Sequence, residues 1–338
     1  MTTNKSKLPR VAIIGSGLAG LTCATALRGF ADVQLFEKSV FVGGRVGRYQ
    51  FGEYRFNHGE QYLTVSTPLF LNIVKAWQDS GIVRPWDGWI VELDHGKVVT
   101  LDDKKTRRFA GYPHMQAICD NLAHHCNVKL STSIAEIEPQ AKGGWRLFDD
   151  RGVYQGLFDL VILATSAHQV GAISGTPRSI ANEAANIDMT LCWSGLFSFA
   201  GPLKIPFDGA FVLNSELSWI SRFKGVDDES RDDECWVLHA SPEWSLQYAA
   251  SFRGRVMHAL LDAFFEACDI PAQKPLTSNV HCWKHALPIN TLRQDCLFDE
   301  HHGIGACGDW CTAPRIEGAV LSGFSMADRV MKFIRSHG

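Results

Sequence analysis

The segment GSGLAG, residues 15–20, carries the spacing G-x-G-x-x-G. The chemistry of that spacing is recognition of a dinucleotide. Gly15 permits a tight turn, Gly17 lets backbone N–H groups approach a pyrophosphate, and Gly20 lets a helix pack closely on a strand. Glu37 stands where the next strand ends, and a carboxylate there accepts hydrogen bonds from a ribose diol. Just beyond it, FVGGRVGRY adds a second glycine pair, Gly43 and Gly44, followed by Arg45. The pair lets the chain pass close to a cofactor, and Arg45 can make a bidentate contact to a pyrophosphate. Nicotinamide dehydrogenases do not usually carry this second element, so it favours FAD over NAD. Near the other end, GIGACGDWCTAPRIEGAVLSG places Asp309 at a strand end, before a helix starting near Glu317 or Gly318. Asp309 can accept from a sugar-like hydroxyl, and the helix start can hold electron density on a reduced flavin ring. The plain alternatives are a surface arginine at 45 and an ordinary turn residue at 309.

These groups need elements to position them. The run VAII, residues 11–14, fits a buried parallel strand, followed by a helix to about Arg28 with Gly29 as C-cap, and a second strand from Val33 to Glu37. Thr67 and Pro68 read as N-cap and first helical position, with Phe70, Leu71, Val74 and Trp77 on one face and Gly81 at the end. WIVELDHGKVVTL, residues 89–101, reads as a β-hairpin across Asp-His-Gly, placed in a second domain. Met115, Ile118, Cys119, Leu122 and Cys126 mark another amphipathic helix. NVKLSTSIAEIE then reads as one strand with a bend. A hairpin turning at residues 150–152 and a nearly all-apolar strand ending at Thr165 follow. From about 170 to 295, longer mixed strands (TLCWSGLFSFA, ECWVLHA, NVHCWKHAL) surround a long helix near Phe252 to Cys268. The charged VDDESRDDE, residues 226–234, reads as an exposed loop.

The chain has 338 residues, room for about two domains. Its net charge is −3 and its Lys and Arg are scattered, which argues against nucleic acid and for a small-molecule partner. The polar, basic Met1–Arg10 is not followed by a signal-type apolar run, and no stretch approaches the roughly 18 apolar residues of a membrane span. A cytoplasmic protein without membrane contact is therefore expected. The ten cysteines then read as reduced thiols. Cys307 and Cys311 could be joined in a zinc site only by His301 and His302. The CxxC pairs of structural zinc are absent, so no metal is expected.

Taken in order, GSGLAG, EKSVFVGGR, NHGEQYLT, AGYPHM, VILATSAHQ, CWVLHASPEWS, HCWKHALP and CGDWCTAPRIEGAVLSG resemble bacterial renalase-type proteins of the flavin-containing amine oxidase superfamily from end to end. The resemblance implies an α/β fold like p-hydroxybenzoate hydroxylase: a Rossmann-like FAD-binding domain plus a mixed β-sheet substrate domain. The FAD domain would be discontinuous, comprising residues 1–70, 107–170 and 298–338, with residues 71–106 and 171–297 as the substrate domain. FAD would be bound non-covalently by Gly15, Gly17, Gly20, Glu37, Gly44, Arg45, the backbone of Ile134, Asp309 and Gly318, although Cys307 and Cys311 offer thiols for attachment. The implied activity is oxidation of the 2- and 6-dihydro isomers of NAD(P)H to NAD(P)+, with hydride transfer to flavin N5 and reoxidation by O2 to H2O2. A dihydropyridine regains aromaticity on losing hydride, so such a site needs placement more than a strong base.

For the substrate wall the same matching segments offer His239, Trp244 and Trp283, with Arg315 for a phosphate or ring edge. Each is also readable as an ordinary core or surface residue. His281 and His285 read as structural. Three departures from the family pattern stand out: Glu60 in NHGEQY, His114 in YPHM, and Val40 with Phe41 where an Arg-Gly pair is common. An acid at 60 would oppose an anionic reduced flavin. Lys284 keeps open an alternative, an FAD-dependent amine oxidase, and a third reading is a flavin-binding protein without catalysis.

Overall fold

The computed structural model describes residues 8–101, 106–223 and 232–337. Its first layer is a six-stranded sheet in the order Asn127–Lys129, Asp32–Phe36, Arg10–Ile14, Leu160–Leu163, Ile304–Ala306 and Leu297–Asp299. The first five run parallel and the last is antiparallel. The central strands are apolar without alternation because both faces are covered. Val11 and Ile13 face one core, and Ala12 and Ile14 another.

The helix after the first strand spans Leu18–Ala26 and stops before Arg28, whose N–H bonds three residues back to the Thr25 carbonyl as the last turn tightens. Gly29, at φ +81°, turns the chain beyond the helix. The C-terminal helix, Ile316–His337, lies against this first helix so closely that a Cβ at Gly323 would sit 2.4 Å from the Ala19 carbonyl oxygen.

NVKLSTSIAEIE forms two strands where one was expected. Asn127–Lys129 extends the parallel sheet, and Ile134–Pro139 joins a three-stranded sheet with Trp145–Asp149 and Tyr154–Phe158. The break is Ser131 at φ +52°, after which Thr132 donates its N–H to the Glu37 carbonyl. The expected turn at 150–152 is held by Asp149, whose carboxylate accepts from the Arg151 and Val153 amides. The amphipathic helix from Met115 is shorter than its pattern, Ala117–Ala123.

Thr67 caps the helix Pro68–Asp79 by accepting from the Phe70 N–H. Its buried face, Phe70, Val74 and Trp77, packs with Leu63, Phe109 and Ile118 in the core beneath the parallel sheet. The division that gives residues 71–106 to the substrate domain is corrected for the rest of this helix, which covers the first layer, while the strands Ile90–Asp94 and Lys97–Leu101 join the other sheet. Ile180 and Ala184 of the helix Arg178–Ala185, also assigned beyond residue 170, pack with Val161, Leu163 and Ile304 for the same reason.

The second layer is a seven-stranded sheet: Thr277–Trp283, Cys192–Phe199, Glu234–Ala240, Leu217–Phe223, Gly209–Leu213, Ile90–Asp94 and Lys97–Leu101. Only Gly209–Leu213 with Ile90–Asp94 is a parallel pairing. The Asp-His-Gly turn places His95 and Gly96 both at positive φ, +47° and +74°, the geometry of a tight hairpin. Phe197, Trp236 and Leu238 turn one face toward Val256, Leu260 and Phe264 of the helix Arg253–Cys268. The other face looks toward residues 54–62. The strands Gly209–Leu213 and Leu217–Phe223 have no counterpart in the expectations, because NSE at 214–216 interrupts their apolar pattern. Of the acidic run, residues 226–231 lie outside the described residues, and Glu234 opens a strand. No helix among the described residues is long and apolar enough to cross a membrane.

Gly323→Ala should lower stability by about 1–3 kcal/mol, the cost of forcing a methyl into a packed interface. Urea denaturation measures it, and an unchanged midpoint would mean the two helices do not meet as described.

Candidate active site

Two of the three motif glycines are required by contact. Gly15 has φ +105° and a Cβ there would lie 2.5 Å from the Ala164 carbonyl oxygen, while one at Gly20 would lie 2.1 Å from that of Gly15. At Gly17 a Cβ would meet nothing within 4 Å, and the helix starting there has no side-chain cap. A helix start without a side-chain cap leaves first-turn N–H groups without helical partners, the kind of group that accepts an anion. The second glycine pair is drawn onto the first. Gly43 donates its N–H to the Ser16 carbonyl at 2.9 Å, and a Cβ at Gly44 would come within 3.8 Å of the Gly17 Cα.

Glu37 lies just past its strand and is 8% exposed. One carboxylate oxygen accepts from both the N–H and the hydroxyl of Ser16, each at 2.9 Å, and the other from the Ser39 N–H. It therefore braces the glycine loop. Ile134 opens its strand beside this loop, two residues after the bond from Thr132 to the Glu37 carbonyl.

Arg45 and Asp309 form a bidentate pair, Nη1–Oδ2 at 2.7 Å and Nη2–Oδ1 at 2.6 Å. Arg45 Nη1 also donates to the Ala286 carbonyl at 2.9 Å. The guanidinium fork is thus given to Asp309, where a pyrophosphate contact was anticipated. Burial works against the Arg45 charge, but the attraction and hydrogen bonds of Asp309 outweigh it and raise its pKa.

The NHGEQY segment threads between Arg45 and the second sheet. Glu60 donates its N–H to the Arg45 carbonyl, and at Gly59 a Cβ would lie 2.0 Å from that oxygen and 3.3 Å from the Trp283 ring. Burial pushes the Glu60 carboxyl up to about 7, with Arg45 pulling it down and Asp309 adding to the rise.

The substrate-sheet face presents a register row, His281, Ser194, His239, Trp219 and Phe211, on five neighbouring strands. The His58 carbonyl sits over this face and accepts from Ser194 Oγ at 2.9 Å, His239 Nε2 at 3.0 Å and Trp283 Nε1 at 3.3 Å. Because a carbonyl only accepts, His239 carries its proton on Nε2. The His58 ring lies 4.6 Å from Trp283 and 5.0 Å from His281, centroid to centroid. Its Nδ1 is buried without a hydrogen-bond partner. Burial, then His281 and His239, push the His58 pKa down to about 3 against the backbone of Gly47. Burial likewise lowers His239 and His281. Beyond them, Gln61 accepts from Trp219 Nε1, and Tyr62 stacks on Trp86 at 5.2 Å.

Of the residues anticipated for the wall, His239 and Trp283 are brought together at His58. Trp244 is not: it stacks on Tyr248 at 4.1 Å, packs against the opposite-face core, and lines a separate groove of about 660 Å³. Arg315 is exposed and braces Ser66 through Nη1–Oγ at 2.8 Å, beside the buried Glu317 carboxylate that accepts from the Ser66 and Thr67 amides. His281, read as structural, contributes a ring to the wall. Lys284 is exposed just past the strand Thr277–Trp283, and His285 stacks on His168 at 5.1 Å. His114 contacts Arg48, and Val40 and Phe41 are exposed. Gly318 is required where the chain enters the last helix, since a Cβ there would lie 2.0 Å from the Ala313 carbonyl oxygen. Cys307 and Cys311 are fully buried in two different cores, and burial pushes both thiols up, so neither presents a thiolate for covalent attachment.

The sequence reading missed His58, Ser194 and the Gln61–Trp219 pair. Ser194 and Trp219 share the register row of the anticipated His239 and could have been found from it. The NHGEQY segment has no period and gave no such signal.

The architecture defines a Rossmann-like nucleotide-binding α/β domain joined to a mixed-sheet domain, with the site between them. Residues 13–77 match the family model of an NAD(P)-binding Rossmann-like domain. Across 97% of this chain and 99% of the other, the fold is similar to a candidate protoporphyrinogen oxidase from Exiguobacterium sp. 255-15, at 14% identity and TM-score 0.77. It is also similar to putrescine oxidase in complex with putrescine (13% identity, TM-score 0.73, 96% and 99% covered). Cyclohexylamine oxidase from Brevibacterium oxydans IH-35A matches with 13% identity and TM-score 0.72 over 96% and 99% of the two chains. At these identities the likeness is one of fold.

Glu60 sets a pH dependence. Its folded pKa of about 7 exceeds the ordinary 4.5, so between these values the folded state binds more protons and stability falls as pH rises. Glu60→Gln should flatten that fall in melting temperature. An identical slope in the variant would show that Glu60 is not the titrating group.

Proposed function

We propose that this protein is an FAD-dependent oxidase of dihydronicotinamide dinucleotides, acting on the 2- and 6-dihydro isomers of NAD(P)H. The observation that carries this reading is a wall of neutral rings, His58, His239, His281 and Trp283, with no acid–base pair among them, beside a dinucleotide cradle. The cradle fits FAD. Gly17 leaves space at a helix start without a side-chain cap, Glu37 stands just past the strand end beside it, and the half-buried Arg45 is paired with the buried Asp309. Non-covalent binding agrees with the burial of Cys307 and Cys311.

FAD bound there would supply acceptance of two electrons from the donor carbon and their delivery to O2, yielding H2O2. The chain's own part is to bind, orient and stay neutral. Glu37 and Asp309 accept from hydroxyls, and Gly17 and Gly44 let the backbone come close. The aromatic wall holds a flat ring, where placement alone is worth orders of magnitude in rate. Oxidation turns a neutral dihydropyridine into a cationic pyridinium. Histidines whose pKa values burial has lowered do not repel that charge, and the face of Trp283 favours it.

One observation favours a second reading, an amine oxidase. The Glu60 carboxylate makes no hydrogen bond among the described residues and could pair with a substrate ammonium, and two of the similar folds are oxidases of amines.

The purified protein should be yellow and release intact FAD on denaturation. Anaerobic mixing with the 2- or 6-dihydro isomers should bleach the flavin about a hundredfold faster than 4-dihydro NADH or simple amines, the scale of loss when a donor carbon is displaced by an ångström. Stopped-flow traces in which amines reduce it and the isomers do not would overturn the first reading in favour of the second.

Glu37→Ala should weaken FAD binding by about 1.5–3 kcal/mol, the range for hydrogen bonds to a charged group. Titration of the apoprotein gives the number. Wild-type affinity in the variant would place the nucleotide elsewhere.

A further inference from the structure

At one edge of the cleft, cationic side chains gather without a counter-charge. The imidazoles of His168 and His285 stack at 5.1 Å and an interplanar angle of 27°. Lys284 precedes His285 in the chain, and the next residue, Ala286, gives its carbonyl to Arg45 at 2.9 Å. Lys38 follows Glu37 at the end of its strand. Four elements therefore contribute: the loop after Asp32–Phe36, the GGR turn, the short helix Ala167–Ala172, and the segment after Thr277–Trp283. Lys38, Lys284 and His168 are exposed, and His285 is half-buried.

No carboxylate pairs with Lys38, Lys284, His168 or His285 among the described residues, and Asp309 is committed to Arg45. Burial lowers the pKa of His285, and His168, Lys38, Lys284 and Arg45, each near enough to be felt, lower it further. Folding has thus gathered groups of like sign around His285. An ordinary charged surface intersperses both signs.

We infer that Lys38, His168, Lys284 and His285 form a subsite for a phosphate-type dianion at the mouth of the nucleotide cleft. A phosphate offers oxygens enough for two ammonium groups and an imidazole N–H at once. A dianion would also raise the His285 pKa that its cationic neighbours lower, offsetting their repulsion. The phosphate can belong to the bound dinucleotide cofactor or to a second, phosphorylated nucleotide arriving as substrate. The second case deepens the function proposed above and rests on it; the first does not.

Three measurements on the wild type and on the Lys38→Ala/Lys284→Ala double variant separate the cases. The first is a thermal shift of the flavin-loaded protein with inorganic pyrophosphate. The second is FAD titration of the apoprotein. The third is the apparent affinity for the dihydro isomers with and without a 2′-phosphate. Loss of two exposed charge contacts should weaken phosphate binding roughly two- to twentyfold, and the difference should shrink in high salt. If pyrophosphate stabilises the loaded wild type, and the double variant loses both that effect and its preference for the 2′-phosphorylated isomer, the subsite serves a substrate phosphate. If only FAD affinity falls, it serves the cofactor's own phosphates. No change in any of the three would overturn the subsite. If the wild type oxidises neither isomer, the proposed function fails while the pyrophosphate and FAD measurements still judge the subsite.

Discussion

The pair between Arg45 and Asp309 joins residues 264 apart in sequence and sits where every part of the cleft meets. Desolvating two charges costs several kcal/mol each, so such a pair survives only with matched geometry and its remaining hydrogen bonds filled. Both conditions hold: the guanidinium fork meets both carboxylate oxygens, and its spare N–H reaches Ala286. Much follows from it. Arg45 fixes the turn that brings Gly44 beside Gly17, its carbonyl receives the Glu60 amide, and Ala286 anchors the exit of the last substrate-sheet strand. Asp309 in turn fixes the strand end that precedes the C-terminal helix.

A second knot ties the layers together without charge. The His58 carbonyl takes donors from three strands of the substrate sheet, and a carbonyl has two lone pairs. The contacts are therefore shared, and the longest of them is that of Trp283. This crowding sets the tautomer of His239 and holds NHGEQY flat across the row of sheet-facing side chains. Removing one donor leaves two, so the segment's position is more robust than any single bond in it.

The parts of this molecule legible in the sequence are those that follow a local rule. The strand–turn–helix at the N-terminus, the Thr67 cap and the Asp-His-Gly hairpin each need only neighbours in the chain, and each occurs where its rule places it. Boundaries suffered wherever tertiary contact overrides the pattern, as at Ser131, where the chain leaves one sheet for another. The helix Pro68–Asp79 was misassigned because an amphipathic face says that a core exists, not which one. At the site, the glycines were readable because their steric demands are local. Trp244 lies in a helix packed on the opposite face of the sheet from His58, a placement its own segment does not disclose. His58 acts through its carbonyl, a group that every residue carries, so its identity held no clue.

The site's electrostatics divide along the same seam as its domains. On the Rossmann side, charges are retained and paired or left to face solvent: Glu37 on backbone donors, Arg45 on Asp309, the lysines at the rim. On the sheet side, burial has stripped charge from three histidines, leaving rings that act as hydrocarbon with a polar edge. Glu60 lies on the boundary, pushed up to about 7 by burial, with Asp309 adding to the rise and Arg45 only partly offsetting it. Near neutral pH its charge is therefore undecided. Protonated, it offers a donor to a carbonyl or amide oxygen; ionised, it offers a partner for a cation. A carboxyl poised in this way costs little to switch, and a ligand's own charge would set its state.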